Sequence, residues 1–286
     1  MSGPSNPVAV VFGEVVIDVY PDAEVPAGAA LHVAAHLAAR GWKAHLVTRL
    51  GDDDDGALLM ELFERHSIET SFVEHDARLP TGRATIHTSG HENRFTVHGP
   101  AAWDAIEGPA EPPEHDALCY GTLAARSERS RATLERLLAS SGAPWKVLDV
   151  NLRPPDVARD VVEMTLGAAT AVKLGEQELI EVAELLGIPA DAQACFDMAS
   201  QLRLVCITRG ERGATLFERS GASFDGDARK VDIVNTVGAG DAFTAGLIEG
   251  VTKNRSLDEV LRGAQACAAS ILAKPGGLPD VSGAAR

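Results

Sequence analysis

The sequence predicts an α/β fold in which a mainly parallel central sheet is covered by helices and carries a small β-sheet lid. Short aliphatic runs alternate with helical-period segments along most of the chain, the pattern of repeated strand and crossover-helix units. A length of 286 residues is enough for one substantial core. Hydrophobic residues make up 45% of the chain but aromatics only 5%, which fits a core of Ala, Val, Leu and Ile better than an aromatic-rich sandwich. One domain over 1–286 is expected, its lid formed by discontinuous segments near 15–30 and 71–100.

The first strand is the apolar run Val8–Phe12, entering Gly13; a second run over 15–20 is interrupted by Asp18 and reads as a ligand-bearing turn or second strand. Residues 29–40 place Leu31, Ala34, Ala35, Leu37 and Ala38 at helical spacing, stopped by Gly41. A strand at 45–49, an acidic turn and a helix over 56–66 follow. The segments 71–74, 83–88 and 93–98 have polar residues between apolar ones. With Ser89, Gly90, His91 and Glu92 as a hairpin turn, they predict a small half-exposed sheet projecting from the body. Residues 101–113, rich in Pro, Ala and Glu, read as a surface connection.

Alternation then returns. Strands are expected at Ala117–Tyr120, 146–150, 169–174 and Leu204–Thr208, and helices at 127–140, 157–166, Glu176–Leu186 and 191–201. Ala214–Glu218 and 229–234 read as antiparallel strands joined by a polar turn over 220–227. Two helices close the chain, 239–251 and 257–273, the second opened by a Ser256 to Glu259 capping box.

Against 41 Asp and Glu stand 26 Lys and Arg, a net charge of −15, with no long basic run to offset it. Nucleic acid and anionic membranes are therefore poor partners. Backbone amides and Mg²⁺ can still supply the local field that a nucleotide needs. Cys119, Cys195, Cys206 and Cys267 lack a paired-thiolate spacing, so free thiols in a reducing compartment are expected. The opening MSGPSNP has no charged n-region, and no apolar stretch reaches the roughly 20 residues of a membrane helix. A cytoplasmic location is the expectation.

The chemistry concentrates at Asn235-Thr236-Val237-Gly238-Ala239-Gly240-Asp241, placed between an expected strand and a small-residue helix. Gly238, Ala239 and Gly240 let backbone amides of a first helical turn face an anion. Asp241 adds a carboxylate suited to taking a proton from a hydroxyl, its ionised form favoured by the helix dipole. The residues alone leave a second reading open, a tight glycine turn with an aspartate favoured at a helix start. The segment is neither a Walker loop nor the dinucleotide fingerprint.

This segment resembles the second signature of the ribokinase-like (pfkB-type) carbohydrate kinases, an acidic residue, Thr, a variable residue and Gly-Ala-Gly-Asp. The resemblance covers nearly the whole chain and implies a ribokinase-like three-layer sandwich. It also implies Asp241 as catalytic base and Gly238, Ala239 and Gly240 as the anion hole. Asn235 replaces the family's first acid.

Other segments carry further implied roles. Gly13-Glu14 followed by Asp18 resembles the first strand of the family, where the Asp contacts sugar hydroxyls; a surface turn carboxylate is the alternative. The stretch from Ala27 through Gly28 to Ala34 resembles the substrate motif Gly-Gly-Ala-Pro-x-Asn-Val-Ala, with Ala27 for Gly, Ala30 for Pro and His32 for Asn. It implies Gly28 and His32 as sugar-site residues, local packing being the other reading of His32. Gly51-Asp52-Asp53 with Gly56 resembles a substrate-side motif in which Asp53 turns inward; a divalent-metal cluster or a solvated helix start are the alternatives for the four acids from Asp52 to Asp55.

Asp149, Asn151 and Arg153 resemble a segment of the fructokinase-like branch and imply Asn151 and Arg153 as substrate or phosphate ligands, with a turn cap and a surface salt bridge as alternatives. Lys173 to Glu178 resembles Lys-x-Asn-x-x-Glu with Gly175 for Asn. It implies a nucleotide-side Lys173 and a Glu178 that reaches Mg²⁺ through water, although Glu178 also reads as an ordinary surface acid. Thr208, Gly210 and Gly213 resemble the family's nucleotide-side turn, a plain β-turn being the other reading. The region 268–279 is expected to wall the adenine pocket.

The resemblance thus implies an ATP-dependent, Mg²⁺-requiring kinase, with K⁺ as a stimulating cation. The acceptor expected is a small sugar or related polyol, first the 6-hydroxyl of D-fructose. Alternatives are 2-keto-3-deoxygluconate, ribose or a nucleoside and, from another functional class, a nonenzymatic nucleotide-binding module. A homodimer through edges of the lid is a further expectation.

Overall fold

The computed structural model describes residues 6–89, 92–153, 157–274 and 276–280. The N-terminal half holds β1 (Val8–Phe12), β2 (Val16–Val19), β3 (Glu24–Ala27), α1 (Ala29–Ala38), β4 (Lys43–Gly51), α2 (Asp54–Arg65), β5 (Val73–Asp76), β6 (Gly82–Ser89), β7 (Glu92–Val97) and β8 (Ala117–Tyr120). It continues through α3 (Glu128–Ser140), β9 (Trp145–Asp149), α4 (Arg159–Ala168), β10 (Ala171–Gly175), α5 (Glu176–Leu186), α6 (Ala192–Met198) and β11 (Leu204–Thr208). Strands β12 (Ala214–Glu218) and β13 (Ser223–Gly226) precede α7 (Ala239–Thr252) and α8 (Leu257–Leu272).

A nine-stranded sheet runs in the order β13-β12-β11-β10-β9-β8-β1-β4-β5, parallel from β11 to β5 and antiparallel at β12 and β13. Both faces are covered, as a parallel sheet requires. The period of two shows in β1: Val10 and Phe12 pack with residues of α3, α4, α5 and α6, whereas Ala9 and Val11 pack with α1, α2, α7 and α8. A four-stranded sheet, β3-β2-β6-β7, lies to one side, with β2 and β6 parallel and the other pairs antiparallel. At α8 the Glu259 carboxylate accepts from the Ser256 N–H at 3.1 Å, the expected box.

Three readings of the sequence change. The strand expected at 71–74 forms as β5 and belongs to the large sheet, parallel to β4, because α2 acts as a crossover between them. The small sheet takes β3 in its place. The strand expected at 229–234 does not form. The chain reverses at Gly221, whose φ is 94°, so β13 pairs with β12 first and leaves Ile233 and Val234 in irregular, exposed backbone. The supposed surface connection over 101–113 starts inside the protein, with Ala101, Ala102, Trp103, Ala105 and Ile106 all buried. Residues Gly90 and His91 of the expected hairpin turn lie outside the described residues. All four cysteines are buried and free. Among the described residues no helix is long and apolar enough to cross a membrane.

Candidate active site

The site forms where α7 begins, beside the C-terminal ends of β9 and β10. Gly238 is the N-cap of α7 at φ 76°, a left-handed conformation that glycine adopts without strain, and a Cβ there would lie 2.7 Å from Gly277. Ala242 N–H donates to Gly238 O at 2.8 Å, closing the first helical hydrogen bond. The amides ahead of it lack intrahelical acceptors by helix geometry, Ala239 N–H making a long contact of 3.4 Å to Thr236 O, and the turn brings Gly238, Ala239 and Gly240 together at a helix end of the kind that attracts anions.

Behind this turn a buried polar chain fixes α7 to the sheet. Lys173 Nζ on β10 donates to both oxygens of Asp149 at the end of β9, at 2.9 and 3.1 Å. Thr244 Oγ1 on α7 lies 2.6 Å from Asp149 Oδ2, within donating distance, and 3.0 Å from Gly240 O. Burial works against the charge on Lys173, but Asp149, Glu178 and Asp241 outweigh it, raise its pKa and keep it protonated. A Cβ at Gly240 would lie 3.3 Å from Nζ, so the ammonium stands directly against the anion-binding turn.

Asp241 projects from the first turn of α7 and is 16% exposed. Its Oδ2 accepts from Nδ1 of His32 on α1 at 2.8 Å. Burial acts to raise its pKa, but the hydrogen bond and charge of His32, with Lys173 and Arg153, prevail and hold the carboxyl below the usual range. The group is thus kept ionised.

Two cavities meet at this point. One, of about 340 Å³, is lined by Asp18, Gly28, His32, Asn151, Arg153 and Asp241, and the small sheet walls it with Ala84, Phe95 and Val97. The other, of about 650 Å³, is lined by Thr208, Gly210, Gly213, Ala239 and the apolar Ala268, Ala269 and Leu272. Lys173, Thr236 and Gly240 line both. Arg153 stacks 5.1 Å over the Phe95 ring, and Asn151 turns at φ 41°. The region expected to wall a base pocket does contribute to the larger cavity.

Asp53 is placed away from both cavities, and Glu178 has much of its hydrogen-bonding capacity taken up by backbone. Asp53 is exposed and lines neither cavity. It caps α2, accepting from Gly56 N–H and Thr81 N–H at 2.8 Å each and from Thr81 Oγ1 at 2.6 Å, so its carboxylate ties α2 to the loop before β6. Glu178 caps α5 with Oε2 on Gly175 N–H at 2.6 Å, while Oε1 accepts Leu152 N–H at 2.8 Å. Only its remaining lone pairs are free to meet a water.

One further group escaped the sequence reading. Glu14 is buried on the smaller cavity, and desolvation pushes its carboxyl up to about 7, against the pull of its backbone hydrogen bonds and of Arg153. The signal was a charged residue between the apolar run of β1 and the Val-Ile start of β2. Asp18 is similarly buried and raised to about 6, with His32 and Arg153 opposing the shift.

A family model described as pfkB family carbohydrate kinase matches residues 8–282. The chain belongs to the pfkB family. Its chemistry is accordingly phosphotransfer to a sugar hydroxyl. Among curated relatives, it is 30% identical over 259 residues to a fructokinase of Klebsiella pneumoniae, covering 84% of this chain and 83% of that one. It is 25% identical to an aminoimidazole riboside kinase of Salmonella typhimurium over 94% of this chain and 90% of that one. A sugar kinase from Pyrococcus horikoshii solved in complex with ATP shares the fold at a TM-score of 0.82 and 24% identity over 96% of each chain. A fructokinase of Vibrio cholerae solved with fructose, ADP and potassium does so at 0.81 and 22%, over 98% of this chain and 96% of that one.

Proposed function

We propose that this pfkB kinase transfers the γ-phosphate of ATP to a primary hydroxyl of a neutral polyol, first the 6-hydroxyl of D-fructose. The observation that carries the reading is the meeting of two cavities at the turn from Gly238 to Asp241. The larger cavity, with its glycines and apolar wall, takes the nucleotide. The smaller one takes the sugar. Asp241, ionised at their junction, receives the hydroxyl proton as the oxygen attacks phosphorus. Amides of Gly238, Ala239 and Gly240, with Lys173 behind them, meet the charge that develops on the transferred phosphoryl group.

Mg²⁺, when bound, neutralises charge on the phosphates. Among the described residues no group of three His, Cys, Asp or Glu side chains is gathered to hold a metal. Glu178, with both oxygens already accepting backbone N–H groups, fits a contact through water rather than a direct bond. Stimulation by K⁺ is checked by exchanging it for Na⁺ in the same assay.

The Klebsiella fructokinase supports the choice of D-fructose. Glu14, Asp18 and Asp241 also line the cavity with carboxyl oxygens that accept from sugar hydroxyls, beside the cations Arg153 and Lys173. In an ATP-coupled screen over hexoses, pentoses, keto-acids and ribosides, D-fructose should give the highest kcat/KM, with 2-keto-3-deoxygluconate at least about tenfold lower. Turnover of a riboside such as adenosine or aminoimidazole riboside without turnover of fructose would replace the substrate assignment. Saturable ATP binding with no transfer to any acceptor would leave a binding module.

The small sheet supplies the outer wall of the sugar cavity through β6 and β7, and we propose that it closes as a lid, since a water-open site would hydrolyse ATP. Amide hydrogen exchange in β6 and β7 should slow when sugar and a nonhydrolysable ATP analogue bind together. Unchanged exchange in a demonstrated ternary complex would reject the lid.

A further inference from the structure

His32 is 3% exposed and sits in the first turn of α1. That turn is anchored at Gly28, where φ is 117° and a Cβ would lie 2.5 Å from Glu14 O. The ring is also held from the other side. A Cβ on Gly277 would come within 3.0 Å of both Cε1 and Nε2 of His32, and Gly277 O accepts from Nε2 of His36, one turn along α1, at 3.0 Å. The ring is thus lodged between α1, the start of α7 and the loop at Gly277, with Nδ1 directed at Asp241 Oδ2.

An ionised carboxylate only accepts hydrogen bonds, so Nδ1 carries the hydrogen. We propose that His32 is a positioning residue for the phosphotransfer, fixing Oδ2 of Asp241 so that Oδ1 alone faces the substrate hydroxyl. This assigns to His32 a partner different from the sugar contact that its place in the sequence suggested. It rests on the reading of Asp241 as base. In the step itself the hydroxyl proton moves to Oδ1 and the hydroxyl oxygen bonds to the γ-phosphorus. The bond from that phosphorus to the bridging oxygen breaks with its electron pair leaving on ADP. His32 keeps its Nδ1 hydrogen throughout.

The titratable groups around Asp241 are Lys173 and Arg153, which favour its ionised form with His32, and Glu14, Asp149 and His36, the last held neutral by burial. Catalysis needs the ionised form, so activity falls as pH drops through the Asp241 pKa. Removing the His32 donor raises that pKa and moves the acid limb of kcat to higher pH.

The test combines kinetics with a spectrum that needs no turnover. In His32→Ala, and in His32→Phe, which keeps a ring without a donor, each checked for wild-type thermal unfolding, kcat should fall roughly 10- to 100-fold, as misplacement of a reacting group predicts. The KM for sugar should stay within about twofold, and the acid limb should rise. A long-range ¹H–¹⁵N imidazole spectrum of the wild-type protein should show His32 with hydrogen on Nδ1, a state lost in Asp241→Ala. A raised sugar KM at unchanged kcat, or a bare Nδ1 in the wild-type protein, would overturn the proposal. Absence of wild-type turnover on every sugar would instead count against the substrate reading, while the spectrum still decides the His32 to Asp241 contact on which the inference depends.

Discussion

Asp241→Asn should cut turnover by about 10²- to 10⁴-fold, the usual weight of a general base, while ATP affinity changes little. Asparagine keeps the shape of the side chain, and its carbonyl oxygen can still accept from His32 Nδ1 in place of Oδ2, so the geometry at the start of α7 is retained. What disappears is the capacity to take a proton at neutral pH. Its negative charge goes too, and with it part of the partner field that keeps Lys173 protonated; Asp149 remains for that purpose, in direct contact at 2.9 Å. Thermal unfolding should therefore stay near that of the wild type. Measurement is by single-turnover phosphoryl transfer with the best acceptor, so that product release does not mask the step. Near-normal single-turnover rates in the folded variant would remove Asp241 as the base.

The alternation of aliphatic strands and amphipathic helices was legible because each such run must bury a face, and that need is written locally. What failed were decisions made by partners distant in sequence. Whether 71–74 joined the large or the small sheet depended on α2 carrying the chain across to β4. Strand β3 contains Pro26 in only four residues and offered no local strand pattern, yet its antiparallel partner β2 recruits it. The expected strand at 229–234 lost its partner to a tighter turn upstream.

The candidate site shows the same division. The Gly-Ala-Gly-Asp turn at the start of α7 can be read as a glycine-rich helix entrance carrying an acid from seven consecutive residues. The bond between His32 and Asp241 joins residues 209 positions apart, and no spacing in a single sequence announces it. Asp53 misled because an acid before a helix is equally a cap and a ligand, and only Thr81, brought near by the fold, decides between them.

Lys173→Met should destabilise the protein by about 3–5 kcal/mol, because it strands a buried carboxylate, and lower Tm by about 10 °C at this chain length. Asp149 is 3% exposed, and without the ammonium the Thr244 hydroxyl would be its remaining side-chain hydrogen-bond partner among the described residues. Since Thr244 belongs to α7, the loss is felt at the helix that carries the anion-binding turn. Activity should fall with stability, but for a separate reason: the ammonium lies against Gly240, where both cavities meet, and in the proposed mechanism its charge acts on the phosphoryl group in transfer. The double variant Lys173→Met, Asp149→Asn separates the two effects. A neutral amide can still accept from Thr244 and leaves no unpaired charge, so thermal unfolding should recover a large part of the loss while turnover stays low. Recovery of turnover along with Tm would show that Lys173 serves only to neutralise Asp149; a Lys173→Met protein as stable as the wild type would show that the carboxyl takes up a proton at little cost. The expected pattern, stability restored and catalysis not, would place the Lys173 charge in the phosphotransfer itself.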